Sequence, residues 1–270
     1  MKTIVFTNIR GGCAKTTDVV HCAVSAAQAG RRVLVVDLDP QAHTTWSLNK
    51  DFKDRADDLD LAPLFIDKVI EHRKAKPQDV TSSLLGTVKI IPGRRAFGAT
   101  FNGPTFTRVR WETALEDALK PLENDFDYCL IDTPATYLNV HALAFKASDF
   151  YLLSLRPEAF SYIGFLESEE EIEKVKEQLD TKNPRFLAYI VNGVHAGNRI
   201  GVREMREGIK DRGRSRMIEI SESTKFDTAR WNGGDTASIF DLPRTVPLRK
   251  EFQAAWENLE TWMPLAEKEG

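Results

Sequence analysis

Eight consecutive residues, Arg10-Gly11-Gly12-Cys13-Ala14-Lys15-Thr16-Thr17, carry the most sharply defined chemistry in this sequence. Two glycines let the backbone curl until its N–H groups converge on an anion. Helical sequence starts near Lys15, so the positive end of a helix points at the same spot. Lys15 can reach the outer phosphates of a nucleotide, and the Thr16 hydroxyl can bind Mg²⁺. The strict pattern GxxxxGK[ST] is not met, because positions 9 and 14 hold Ile9 and Ala14. Two acidic segments follow, Asp37-Leu38-Asp39-Pro40-Gln41 and Asp132-Thr133-Pro134, each at the end of an apolar run. Carboxylates there are costly unless solvated, paired or near a metal, and a nucleotide with Mg²⁺ supplies that partner. Either acid alone reads equally well as a helix cap; the loop and both acids in this order point to a phosphate and metal site. Cys13 is either a reactive thiol at a helix start or a small loop residue whose backbone N–H does the work, and the second reading is adopted.

These groups need rigid elements to hold them. Lys2–Asn8, Val33–Asp37, Val88–Ile91, Tyr128–Asp132, Phe150–Leu155 and Phe186–Asn192 read as strands, with Met217–Ile220 a weaker one. Lys15–Ala29, Trp111–Leu119, Glu167–Leu179 and Leu248–Trp262 read as helices. Strands apolar on both faces and separated by helices imply an α/β fold, a mostly parallel twisted sheet flanked by helices on both faces. No composition shift divides the chain, so one domain over 1–270 is expected. Ligands bind such sheets at the carboxyl ends of the strands, where Asn8, Asp37 and Asp132 fall.

Composition sets the limits. The chain has 270 residues, 37 Lys+Arg against 40 Asp+Glu, and a net charge of −3. A whole-protein basic field for nucleic acid is therefore excluded. Three cysteines without a CxxC support neither a disulfide framework nor a zinc ribbon, and a reducing cytosol fits them. No signal peptide or apolar stretch of spanning length is present.

Taken together, the loop Arg10–Thr16, the segment Asp37–Gln41 and Leu130–Pro134 resemble the ParA/MinD family of deviant Walker P-loop ATPases, and within it the ParA-type partition proteins. The similarity extends through Ala147-Ser148-Asp149, Pro157 and Ile190-Val191-Asn192, and to Phe226, Ala229, Gly233-Gly234 and Ser238-Ile239. The resemblance implies ATP and Mg²⁺ as cofactors, held by Gly11, Gly12, Cys13, Ala14, Lys15, Thr16 and Thr17. Thr16, Asp37 and Asp132 would serve the metal, Asn192 would read the adenine edge, and Lys15 and Asp39 would be catalytic, Asp39 by polarising water. Arg10 replaces the family's signature lysine and would act in trans like an arginine finger, keeping the charge with a different geometry. Ala14 replaces a usual glycine, and its methyl group restricts φ. Asp132-Thr133-Pro134-Ala135 lacks a second proline often found there. The implied activity is ATP hydrolysis to ADP and phosphate by an ATP-dependent sandwich homodimer. That dimer would bind DNA non-specifically and position a plasmid, chromosome region or other large cargo with a ParB-like or adaptor protein, in the cytoplasm on the nucleoid.

Arg199, Arg203, Arg206 and Lys210 are spaced to share one helical face, and Arg212, Arg214 and Arg216 follow. Residues 199–217 hold seven basic and three acidic side chains, whereas residues 167–180 hold two and seven. Solvated helix faces explain both runs in a generic protein; with the resemblance, the four residues on one face become the candidate DNA surface. Lys89–Arg110 interleaves basic residues with Phe97, Phe101 and Phe106 and reads as a surface loop. The five histidines lack metal-ligand spacing. Three other functions compete. A MinD-like membrane switch needs a basic amphipathic helix, and Trp256–Gly270 is acid-rich. An iron–sulfur relative needs cysteines at other positions. A nucleotide-binding scaffold with little turnover would follow from the Arg10 and Ala14 changes, against which Asp39 stands.

Overall fold

A computed structural model describes residues 1–49, 78–79, 88–93, 111–135, 138–157, 161–224 and 246–269. Eight strands are present among them: β1 (Lys2–Thr7), β2 (Val33–Asp37), β3 (Gln78–Asp79), β4 (Val88–Ile91), β5 (Tyr128–Asp132), β6 (Phe150–Leu155), β7 (Arg185–Val194) and β8 (Met217–Ser221). The helices are α1 (Lys15–Gln28), α2 (His43–Leu48), α3 (Ala114–Leu119), α4 (Leu138–Lys146), α5 (Ser161–Gln178), α6 (Arg199–Asp211) and α7 (Pro247–Glu269). The strands form one sheet in the order β3-β4-β2-β5-β1-β6-β7-β8. Seven of them pair in parallel, and only the two-residue β3 runs antiparallel, against β4. The expected parallel α/β sheet is therefore observed.

Alternation along the strands builds two cores. Val5, Leu34, Val36, Ile131, Tyr151, Leu153, Tyr189 and Val191 face one layer, which α3, α4, α5 and α6 cover. Ile4, Phe6, Val33, Val35, Leu130, Leu152 and Ile190 face the other, under α1 and α7. Burial on both faces explains why these strands are apolar at most positions, without a polar alternation.

Boundaries differ where packing overrides local signals. α5 starts at Ser161 rather than Glu167. α7 runs to Glu269 through Pro264, because Met263 and Ala266 on either side of that proline are buried against the core. α2 and α4 arise from segments with weak sequence signals for helix. The aromatic and basic stretch of residues 94–110, and the candidate matches at Phe226, Ala229, Gly233-Gly234 and Ser238-Ile239, lie outside the described residues.

Candidate functional site

β1 and β2 flank β5 at the centre of the sheet, while β6 continues the sheet on the far side of β1. The chain thus winds in opposite directions from β1, which opens a crevice at the carboxyl ends of the strands. A cavity of about 860 Å³ lies there, lined by residues 11–17 together with Asp39, His43, Arg156, Asn192 and Glu222. The cavity gathers the loop, Asp39 and Asn192 from three different stretches of chain.

The loop is pinned before it turns. Asn8 is buried; its Oδ1 accepts from the Arg10 amide at 2.8 Å and the Ser168 hydroxyl at 3.0 Å, and its Nδ2 donates to the Ser154 carbonyl at 2.7 Å. Gly12 has φ 76° and Ala14 φ 71°. Ala14 thus adopts the left-handed conformation that its family glycine suits, at a cost of about 1–2 kcal/mol. Lys15 folds back into the loop, donating to the carbonyls of Asn8 at 3.1 Å and Arg10 at 3.2 Å. Burial pulls its ammonium below the ordinary lysine range, against the opposing charges of Asp132, Cys13 and Asp39.

Asp37 and Asp132 are register partners in the β2–β5 ladder and fully buried. Asp37 Oδ1 accepts from the Asp39 amide at 3.0 Å, and Oδ2 from the Thr45 amide at 2.8 Å and the Thr45 hydroxyl at 2.7 Å. Its oxygens hold the following turn. Gly93 packs so closely on Asp37 that a Cβ would lie 2.7 Å from its Cγ. Asp132 Oδ2 accepts from the hydroxyls of Thr16 at 2.9 Å and Thr44 at 2.6 Å, while Oδ1 is buried with no partner among the described residues. Burial pushes both carboxyls up, Asp37 further because Asp132 sits beside it; the two threonines and Lys15 restrain Asp132. Two buried carboxyls side by side with a lone oxygen suit a cation. No group of three His, Cys, Asp or Glu that could hold a metal occurs among the described residues. Mg²⁺ does not need one, since it takes one or two carboxylates and completes its shell with phosphate and water.

Asp39 is half-buried on the cavity wall, with Oδ1 accepting from the Gln41 amide at 2.8 Å. Asn192 ends the regular part of β7; Gly193, at φ 75°, follows and shifts the register against β8. Its Nδ2 donates to Asp18 Oδ2 at 3.0 Å, which also accepts from the Ser154 hydroxyl at 2.6 Å. Complete burial raises the Asp18 carboxyl well above its usual range. Asp18, Ser154, Thr44, Thr45 and His141 were missed from the sequence. Their signal, a polar residue inside an apolar element, is visible at Asp18 in α1 and Ser154 in β6, but its meaning depends on the partner. His141 joins the ends of two strands that carry the site: Nδ1 accepts from the Thr7 hydroxyl at 2.9 Å and Nε2 donates to the Pro134 carbonyl at 2.7 Å.

Residues 1–185 match a family profile described as an AAA domain, which covers more than half of the chain. The chain belongs to the ParA/MinD family of P-loop ATPases. It is 29% identical over 181 residues to the virulence plasmid ParA family protein pGP5-D of Chlamydia psittaci, covering 67% of this chain and 66% of that one. It therefore spans about two thirds of such a relative. Its fold resembles that of McdA from Cyanothece in an ATP complex, with TM-score 0.75, 20% identity, and 96% of both chains covered. It also resembles cobyrinic acid a,c-diamide synthase from Mycobacterium smegmatis with bound ADP and magnesium, with TM-score 0.72, 19% identity, and 95% and 92% covered.

Two sets of residues stand outside the ParA-like cavity. Arg10, the signature-lysine position, reaches away to α5 and pairs with Glu167 at 2.8 Å, both side chains being about half exposed (43% and 54%). Such a pair contributes about 0–1 kcal/mol and is easily exchanged. Arg199, Arg203, Arg206 and Lys210 are exposed on α6, whose Val202, Met205 and Ile209 face the core. Arg206 is engaged by Glu219 across to β8. The three arginines that follow do not extend this face. Arg212 and Arg214 pair with Glu169 at 2.5 and 2.6 Å, Arg214 stacks 4.1 Å above the Phe186 ring, and Arg216 pairs with Glu269 at 2.8 Å.

Proposed function

We propose that this chain is a ParA-like ATPase of one domain over 1–270 that binds ATP with Mg²⁺ and hydrolyses it to ADP and phosphate. With ATP it forms a sandwich homodimer that binds DNA non-specifically through α6. A ParB-like or adaptor protein stimulates hydrolysis and release, so that a plasmid, chromosome region or other large cargo is positioned on the nucleoid in the cytoplasm. The observation that carries this reading is the facing of two half-sites. The Lys15 ammonium is parked on loop carbonyls where phosphate oxygens are its natural acceptors, and Asp132 keeps a lone buried oxygen next to Thr16. Solved proteins of this fold bound to ATP, and to ADP with magnesium, support the choice of ligand.

In this reading the amides of Gly11, Gly12, Cys13 and Ala14 cradle the phosphates, Thr17 meets the α-phosphate, and Lys15 neutralises the outer oxygens. Thr16 and Asp132 hold Mg²⁺, which supplies charge neutralisation, while Asp37 fixes the turn that carries Asp39. Asp39 orients the attacking water, and Asn192 contacts the adenine edge. Arg10 leaves Glu167 and reaches the partner's nucleotide. Lys15, Asp39 and Arg10 are thus the catalytic set. The packing of α7 speaks against the membrane alternative, since it turns Phe252, Trp256 and Leu259 into the core, and no described helix is long and apolar enough to cross a membrane.

The test is Asp39→Ala with ATP, followed by size-exclusion chromatography, phosphate release and DNA binding. Turnover falls about a hundredfold or more, and an ATP-trapped dimer accumulates and binds DNA. Adding Arg10→Ala to that variant returns it to monomer. An Asp39→Ala protein that stays monomeric and ignores nucleotide overturns the switch. Unimpaired turnover removes Asp39 from catalysis, and a double variant that still dimerises removes Arg10 from the partner's site.

A further inference from the structure

At the opposite end of the sheet from the ATP cavity, the amino-terminal ends of β6, β7 and β8 surround a second cavity of about 280 Å³. This is just below the usual range for ligand pockets and fits a small anion. Its charged lining is Lys176, Lys182, Arg185, Arg214, Arg216 and a single acid, Glu269. Three of the cations are answered by acids: Arg214 by Glu169 at 2.6 Å, Arg216 by Glu269 at 2.8 Å, and Lys176 by Glu173 at 3.5 Å. Lys182 and Arg185 have no ion pair among the described residues. Arg185 gives Nη1 to the Glu267 carbonyl at 3.2 Å, and its Nε is buried with no hydrogen-bond partner. A buried guanidinium N–H without an acceptor is rare, because it forfeits its water and gains nothing in return.

The wall therefore carries two positive charges with no ion pair among the described residues, one on a planar guanidinium and one on an exposed ammonium. Phosphate is the anion this pairing suits. It has several strong acceptor oxygens, carries about −1.5 to −2 as a monoester near pH 7, and accepts charge-assisted bonds from arginine and lysine together. We propose that this cavity is a second anion site that takes a phosphate group, with the Arg185 guanidinium, whose Nε–H is unpartnered, and the Lys182 ammonium as its donors. The phosphate comes either from a free phosphate ester or from a DNA backbone. The second source is geometrically available, because Gly213–Arg216 lines the cavity directly after the end of α6. The proposal does not depend on the function assigned to the other end of the sheet.

The experiment is NMR of the nitrogen-15-labelled full chain, following the amides of Gly213 and Ser215 and the Arg185 Nε–H during titration with inorganic phosphate at constant ionic strength. Saturable shifts at these positions are expected, and Lys182→Glu weakens that binding about tenfold or more. Lys182 is exposed and has no ion pair among the described residues, so an otherwise unchanged spectrum verifies the variant. Phosphate entering the ATP cavity shifts residues 11–17 instead and is read separately. A short DNA duplex that shifts the same resonances and competes with phosphate identifies the backbone as the source; phosphate binding untouched by DNA identifies a free ester. No saturable shift with either probe, identical binding by Lys182→Glu, or the same shifts with chloride overturns the site.

Discussion

His141 shows how a single residue ties two central strands together. Its ring joins Thr7, at the end of β1, to Pro134, just beyond β5, so it links the strand that feeds the phosphate loop to the one that ends in Asp132. Both bonds use the neutral ring, which accepts at Nδ1 and donates at Nε2. Burial moves its titration down from 6.5 to about 4. A depressed pKa in the folded state gives stability that is fully present above the unfolded value, near 6.5. It is lost as pH falls, because the unfolded chain takes up a proton that the folded chain refuses until about pH 4. Between pH 7 and pH 5 the loss is about 2 kcal/mol. Urea unfolding at both pH values measures it. His141→Gln should flatten that difference by most of this amount; an unchanged difference assigns the pH dependence to other groups.

At the scale of elements, α5 and α6 show why a run of like charge cannot be read alone. The acidic run on α5 and the basic run after α6 partly cancel each other through Glu169, Arg212 and Arg214. What remains outward is α6 itself, whose Arg199, Arg203, Arg206 and Lys210 stay in solvent. Reversing Arg203 and Arg206 to Glu should weaken DNA binding by about tenfold or more at low salt and reduce its salt dependence, leaving nucleotide affinity unchanged. Fluorescence anisotropy across a salt series checks both. Unaltered DNA affinity removes α6 from the interface.

On the scale of the whole molecule, α7 acts as the lid of one core. Its own Trp256 is buried, edge-on to Tyr128 with centroids 4.9 Å apart, while Tyr128 hydrogen-bonds Glu260 on the same helix at 2.9 Å. Phe252 stacks on His21 of α1 at 4.8 Å. Since α1 begins at Lys15, the packing of α7 supports the element that carries the loop's lysine and threonines. Trp256→Ala should cost about 3–5 kcal/mol in denaturant unfolding. A loss below about 1 kcal/mol would show that α7 is peripheral.

The sequence by itself determined the parallel sheet and the phosphate loop, because both are written in contiguous residues. Burial on both faces demands apolar strands, and an anion cradle demands a glycine-bearing turn shortly before a lysine and a helix. It also placed Asp37, Asp39 and Asp132 at strand ends, where such folds gather their ligands. Only the tertiary structure decided the partners. Asp132 meets Thr16 across 116 residues and Asp18 meets Asn192 across 174, and no spacing rule reaches that far. The net charge of −3 is the clearest case. It says nothing about where cations remain unanswered, because a charge acts through the groups beside it in space: Arg214 disappears into an aromatic and acidic nest, while Arg185 and Lys182 keep charge to offer.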